Sequence, residues 1–275
     1  MRQRTAWIPT ILLTIGALFF LAPLAWMAST AFKPEGEVFE KTPHWIPRHP
    51  TFHNFTSLAE KSSEAPIGRW LLNSAIVSTS VVLLTLLLSA MTAYPLARLR
   101  FRGRDALFYT IVAAMIVPGQ VTIIPVFLLI QRLGWFDTYP ALIVPGLASP
   151  FGVFLIRQFM QTIPRELEEA AAIDGCGPWR TWAQVILPLT TPALATLGVL
   201  TFLGAWNDFL WPLIATNSTE MRTIPVGIQI FQGHYTTEYG LMMATAVLAS
   251  IPVIVVFLAL QRFVVRGIVL TGLKG

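Results

Sequence analysis

Charge is what this sequence has least of: Asp, Glu, Lys and Arg together make up 12% of its 275 residues, about half the share typical of soluble domains. With 55% hydrophobic residues and a mean hydropathy of +0.64, the chain lacks the polar surface that a water-soluble globule of this size requires. An ordinary soluble enzyme, a secreted disulfide scaffold and a disordered chain are excluded together. Cysteine occurs once, as Cys176, which excludes an intrachain disulfide and a multi-cysteine zinc site. Only four lysines occur, none in a Gly-x-x-x-x-Gly-Lys-Ser/Thr loop, so ATP is not held here through a P-loop. Neither an HExxH helix nor a nucleophile elbow is present, and no catalytic residue is expected. His44, His49 and His53 are close in sequence, but Pro43, Pro47 and Pro50 break any common helical face. No metal site is expected from them. The net charge of +5 is read as a mark of membrane topology, with no nucleic-acid partner implied.

Long uncharged apolar runs are what the chain has in excess. A run of about 18 or more such residues crosses the hydrocarbon core as a helix. Six are found, at about residues 7–32, 70–97, 106–131, 138–156, 188–214 and 239–261. They are apolar all round, without the strict alternation of a barrel strand, so the expectation is an all-α membrane protein forming one domain over residues 1–275. The first run follows Arg2 and Arg4 but is too long for a signal-peptide core, and is read as a retained helix. Arg98, Arg100, Arg102 and Arg104 crowd the link between spans two and three. Arg157, Arg165 and Arg180 lie between spans four and five, and Arg262, Arg266 and Lys274 follow span six. The positive-inside rule then puts both termini in the cytoplasm.

Several spans are irregular. Pro118-Gly119-Gln120 and Pro125 interrupt the third, and Pro145-Gly146 and Pro150-Phe151-Gly152 the fourth. Proline removes a backbone donor and crowds the preceding turn, which kinks or breaks a helix. Such breaks line central paths in transporters, although proline is also simply common in membrane helices. The fifth span contains Trp206-Asn207-Asp208-Phe209. An aspartate at a helix centre costs about 2.5–3.5 kcal/mol on insertion scales, so Asp208 faces a pathway, a neighbouring helix or the headgroups. Trp206 and Trp211 fit an aromatic belt as well as sugar stacking. Asn73, at the start of span two, suits a helix–helix hydrogen bond as well as a pathway.

The stretch between spans four and five, residues 163–188, reads as a helix–turn–helix elbow. Pro164 suits a helix start, Glu166, Glu168 and Glu169 complement its positive end, and Gly175 suits a left-handed stop. Leu167, Ala170, Ala171 and Asp174 share one side at i, i+3, i+4, i+7 spacing. Gly177-Pro178 opens a second short helix, 179–187, ended by Pro188. Small alanines beside an acidic rim make a docking knob. The acidic content argues against a helix merely resting on headgroups, since inner-leaflet binders are usually basic.

Glu169-Ala170-Ala171, Gly175, Val185 and Leu187-Pro188 resemble the EAA motif of ABC importer permeases, with Val185 where isoleucine is usual. The resemblance extends along nearly the whole chain and narrows to the maltose-type, carbohydrate subfamily through Val117-Pro118-Gly119-Gln120-Val121, Trp206-Asn207-Asp208-Phe209 and the Lys274-Gly275 ending. It implies a type I ABC importer permease fold with six spans in a bacterial or archaeal cytoplasmic membrane. It also implies a second, related permease, two ATPase subunits that bind Mg-ATP, and an extracytoplasmic sugar-binding protein; this chain itself carries no cofactor. By the resemblance Glu169 contacts the ATPase, Ala170, Ala171 and Gly175 permit the close fit and turn, Leu187 and Pro188 brace the elbow, and Asp174 is counted with them among the ATPase-coupling residues. Gln120, Trp206, Asn207, Asp208 and Asn73 are the pathway candidates, and the tail from Arg266 reaches toward the ATPases. The rival readings are an ion-coupled secondary transporter, which needs buried ionisable residues at mid-membrane, and a membrane-embedded enzyme, which needs a catalytic constellation.

Overall fold

A computed structural model of the chain describes residues 7–40, 42–232 and 237–272, with side chains as far as Gln261. Arg2, Arg4, Lys274-Gly275 and the side chains of the tail from Arg266 lie outside the described residues. Those residues are predominantly helical, with no β-sheet among them. They form two compact units, Met1–Arg69 with Val226–Pro252 and Trp70–Pro225 with Val253–Gly275.

Three helices are long and apolar enough to cross a membrane unbroken: α1 (Trp7–Ala31), α2 (Ile67–Arg98) and the last helix, whose qualifying stretch is Tyr239–Gln261. The other three expected spans are bent pairs. α3 (Arg104–Ala113), extended by a 3₁₀ turn to Ile116, meets α4 (Gly119–Arg132) at 98°. α5 (Tyr139–Ile143), extended to Leu147, meets α6 (Pro150–Thr162) at 45°. The Pro178–Leu189 segment meets α8 (Thr191–Trp206) at 73°; α7 (Glu166–Ile173) precedes it. α9 (Leu210–Ala215) and α10 (Tyr239–Gly272) complete the main elements.

Local chemistry explains each break. Val117, ahead of Pro118, is extended at φ −76° and ψ 116°, as the pre-proline clash demands. Pro125, by contrast, is carried inside α4 without a break. At the second bend Ser149 caps α6, its Oγ accepting from the Gly152 N–H at 3.0 Å. α6 runs to Thr162, six residues past the expected end at 156. The fifth span is broken again at residues 207–209, a discontinuity that its hydropathy hides. Pro188 does not end the second elbow helix: a π turn over Trp182–Ile186 precedes it and the helix reaches Leu189. Proline supplies no N–H, and the widened turn accommodates that missing bond.

Within the larger unit α2 is the organising helix. At one end Ala90, Ala93, Tyr94 and Ala97 pack with Ile156, Met160, Trp182, Ile186 and Leu197, the small residues allowing close helix approach. At the other end Val77 and Val81 pack with Ile130, Ala141, Leu142 and Ala215. Asn73 is 0% exposed. Its amide donates to the carbonyls of Glu220 (2.6 Å) and Arg222 (2.8 Å), and its Oδ1 accepts from the Tyr139 hydroxyl at 2.7 Å. Ser74 Oγ accepts from the Ile224 N–H, and the Trp70 indole donates to the Thr219 carbonyl. This row of polar side chains clamps the 219–224 loop onto α2. Nearby, Asp137 holds the left-handed conformation, φ 60°, while its Oδ1 accepts from the N–H groups of Asn217 and Ser218 at 2.9 and 3.1 Å. Burial pushes the Asp137 carboxyl up, but those bonds outweigh it and hold the group below its ordinary range.

In the smaller unit α1 turns apolar side chains outward on every side, Leu13 being 74% exposed, so this helix needs lipid or a partner around it. Beyond it Lys33 is buried, donating to the His44 carbonyl at 2.5 Å with its ammonium 4.1 Å from the Trp26 ring centroid. Glu37 accepts from the N–H groups of Arg48 and His49. The histidine-bearing loop is thus an ordered structure, and no metal-holding cluster of His, Cys, Asp or Glu occurs among the described residues.

Asn73→Ala removes three hydrogen bonds made by a fully buried side chain, each such bond contributing about 0.5–1.5 kcal/mol. We expect stability to fall by about 2–4 kcal/mol, read as a lower unfolding temperature in detergent with insertion retained. Because the Asp137 carboxyl sits below its unfolded value, its contribution is present at neutral pH and lost as pH falls through the folded value. Acidification from about pH 5 to 3 should lower the unfolding temperature more in the unaltered chain than in Asp137→Asn, which tolerates the same left-handed backbone.

Candidate functional site

The helix breaks converge. A cavity of about 360 Å³ is lined by Gly119 and Thr122 just past the α3–α4 break, and by Pro145 and Gly146 near the α5–α6 bend. Thr201, Gly204 and Asp208 line it from the α8–α9 break, and Val77 and Val81 from α2. The wall is mostly apolar, with the side chains of Thr122, Thr201 and Asp208 as its polar points. Backbone freed by a break in an apolar setting needs partners, and gathering the breaks around one hollow allows water or a solute to serve it.

The five pathway candidates are not brought together. Asp208 alone lines the cavity, half-buried, its Oδ1 3.4 Å from the Trp211 N–H at the start of α9. Asn207 is exposed and returns its amide to the Leu203 carbonyl at 2.9 Å. The Asn-Asp pair therefore serves both sides of the break, one side chain on the end of α8 and the other on the start of α9. Trp206 is buried, stacked against Phe202 with ring centroids 5.5 Å apart. Gln120 is exposed and outside the cavity wall, whereas its neighbour Gly119 is part of it. Asn73 is spent on the loop clamp. Of the five candidates the cavity wall holds Asp208, together with Thr122 and Thr201. These two threonines carry no distinguishing sequence signal, since threonine in a membrane helix usually bonds its own backbone, as Thr122 does to the Gly119 carbonyl at 2.8 Å.

The second feature is the elbow. α7 starts at Glu166, two residues after Pro164, with Glu166, Glu168 and Glu169 in its first turn. It ends in a Schellman motif: Gly175 at φ 79°, its N–H bonded to the Ala172 carbonyl and the Cys176 N–H to that of Ala171. Glu169, Ala170, Asp174 and Gly175 are exposed, while Ala171 is buried. The expected common face of Leu167, Ala170, Ala171 and Asp174 is thus split, Ala171 turning into the fold. Ile173, missed in the sequence, stands 87% exposed; a large apolar residue four positions after Glu169 on an acidic helix was the available signal. Leu187 is half-buried against the core that holds Trp182 and Ile186, and Pro188 is exposed. α7 thus presents an acidic ridge with an exposed isoleucine beside the core that holds Trp182 and Ile186.

The profile of the family described as "Binding-protein-dependent transport system inner membrane component" matches residues 73–270. The chain is 34% identical, over the whole of both proteins, to the arabinooligosaccharides transport system permease protein AraQ of Halalkalibacterium halodurans. It is 35% identical to the sn-glycerol-3-phosphate transport system permease protein UgpE of Yersinia pestis, over 94% of each chain. Its fold resembles a chain in the crystal structure of a bacterial ABC transporter involved in the import of the acidic polysaccharide alginate, at a TM-score of 0.81 and 22% identity, covering 95% of this chain and 97% of that one. With broken membrane helices around a cavity, a projecting elbow and these relatives along its length, the chain belongs to the family of binding-protein-dependent transport system inner membrane components.

Proposed function

We propose that this chain is the permease subunit of an ATP-driven importer for a carbohydrate or carbohydrate derivative, working beside a second, related permease. The observation that carries this reading is the exposed acidic ridge of α7, rigidly capped at Gly175 and seated on a packed core. Such a knob suits the groove of an ATPase subunit. Mg-ATP is bound and hydrolysed by two partner ATPases, and an extracytoplasmic binding protein delivers the solute. In this reading the chain crosses the membrane six times, with three of the spans broken, and the elbow and both termini are cytoplasmic and the 219–224 loop outside, as the arginine-rich links at residues 98–104 and 157–180 support. Family membership sets aside the ion-coupled carrier considered from the sequence. The substrate class is supported by the carbohydrate and glycerol-phosphate transport named for the relatives.

In this mechanism closure of the ATPase dimer carries the elbow with it. The packed core around Trp182 and Ile186 transmits the movement to α8, whose far end bears Thr201, Gly204 and, just beyond, Asp208. Rigid-body rocking then alternates access to the cavity. Glu169, Ala170, Ile173 and Asp174 supply the docking face, and Leu187 and Pro188 hold the second elbow helix against the membrane core.

Purification of the chain in mild detergent should recover an ATPase and a second permease; the chain recovered alone, and active in uptake without ATP, would overturn the reading. Glu169→Lys reverses charge on the docking face, and Gly175→Leu forces a branched residue into a left-handed backbone at a cost of about 1–2 kcal/mol. Both should abolish ATP-dependent uptake while leaving membrane insertion intact, and normal transport by the pair would refute the coupling assignment. Asp208→Asn should slow uptake roughly tenfold, equivalent to about 1.4 kcal/mol of barrier, with the ATPase still bound. An unchanged rate and affinity would remove Asp208 from the pathway.

A further inference from the structure

The elbow is held by more than its own chain. Arg98, the last residue of α2, is 3% exposed in its side chain, and its Nε lies 3.1 Å from Glu168 Oε1 on α7. The two buried atoms meet as an ion pair outside hydrogen-bonding geometry, and neither has a hydrogen-bond partner. The same guanidinium donates through Nη2 to the carbonyl of Ile163, at the root of the elbow, at 2.6 Å. A second arginine fixes this end of α2 from α6: Arg157 Nε donates to the Leu96 carbonyl at 3.2 Å, with its guanidinium 3.7 Å from the Phe108 ring centroid. The last carbonyls of a helix have no partners within it and favour cations, which explains two arginines at this end of α2. It does not explain Glu168, which faces Arg98 from another element. Removing either charge leaves the other buried and uncompensated.

The placement matters because of what else α2 bears. Val77 and Val81 line the cavity, and Val81 stands 17 residues before Arg98 on one continuous helix, about 25 Å along its axis. We propose that the Arg98–Glu168 pair is the joint through which movement of the elbow reaches α2, so that α2 acts as a second lever beside α8, with Arg98 and Glu168 as positioning residues for transport. The inference rests on α7 being the ATPase-docking element. Through the chain alone the elbow drives α8 and α6; the ion pair, beside the packing of Trp182 and Ile186 on α2, couples it to a helix that reaches the cavity without following the elbow in sequence. A packed, charge-locked contact between rigid elements passes displacement on, where a solvated contact would slip.

The test uses the intact complex with its ATPase in a Cys176→Ser background, with single reporter cysteines at Val81 on α2 or Thr201 on α8. Maleimide labelling rates are compared with and without a saturating non-hydrolysable ATP analogue, which closes the ATPase without any solute. In the unaltered pair both reporters should respond. In Glu168→Gln and Arg98→Gln the response at Val81→Cys should shrink about threefold or more, while Thr201→Cys still responds and the ATPase still co-purifies. Arg98→Lys, which keeps the charge, should retain the Val81→Cys response, a rescue that loss of general stability would not give. A full response at Val81→Cys in both glutamine variants overturns the proposal, as does joint silence of the two reporters with the ATPase still bound. Failure of an ATPase to co-purify with the unaltered chain is a separate result, and overturns the docking reading together with this inference.

Discussion

A helix interrupted in apolar surroundings leaves carbonyl and N–H groups that hydrocarbon cannot satisfy, and the arrangement of this protein follows from that constraint. The breaks at Ser149 and at Asn207-Asp208 each bring their own remedy. Ser149 accepts the Gly152 N–H, Asn207 returns to the Leu203 carbonyl, and Asp208 approaches the Trp211 N–H. Residues beside the breaks, Gly119, Gly146 and Gly204, line one cavity. The hollow lies where the helices fail.

The elbow obeys a complementary constraint. The docking role proposed for it requires an exposed face on an immovable scaffold. α7 meets both needs by dividing its residues: Glu169, Ala170, Ile173 and Asp174 face outward, while Ala171 turns into the fold and Glu168 meets Arg98. The Schellman turn at Gly175 reverses the chain into the Pro178–Leu189 segment, whose Trp182 and Ile186 sit in the same core as Ala90 and Ala97 of α2. Rigidity here comes from close packing of small against large side chains, supplemented by the ion pair between Arg98 and Glu168.

Much of this was legible in the sequence, for identifiable reasons. Apolar runs of sufficient length announce helices because lipid leaves few alternatives; Pro118 and Gly175 announce a break and a stop because each has a restricted or unusual backbone. The break at residues 207–209 was hidden because its flanks are as apolar as any span. Pro125 pointed to an interruption that is absorbed within α4, whereas the end expected at Pro188 falls just beyond it, at Leu189, after a π turn. Asn73 and Trp206 looked like pathway residues because a polar or aromatic side chain in a membrane helix has several possible partners. Which partner it takes depends on chain segments as distant as Glu220 and Arg222.

By itself, then, the sequence determined the helical class, the apolar spans, the elbow and its stop, because each rests on residues close together in the chain and on the solvent they must face. Only the tertiary structure decided which breaks meet at the cavity, which side of α7 is free, and that Asp208 alone of the five candidates lines the hollow. It alone also brought Arg98 to Glu168. Those outcomes depend on contacts between residues far apart in sequence, whose energies are fixed by packing and burial that no local pattern encodes.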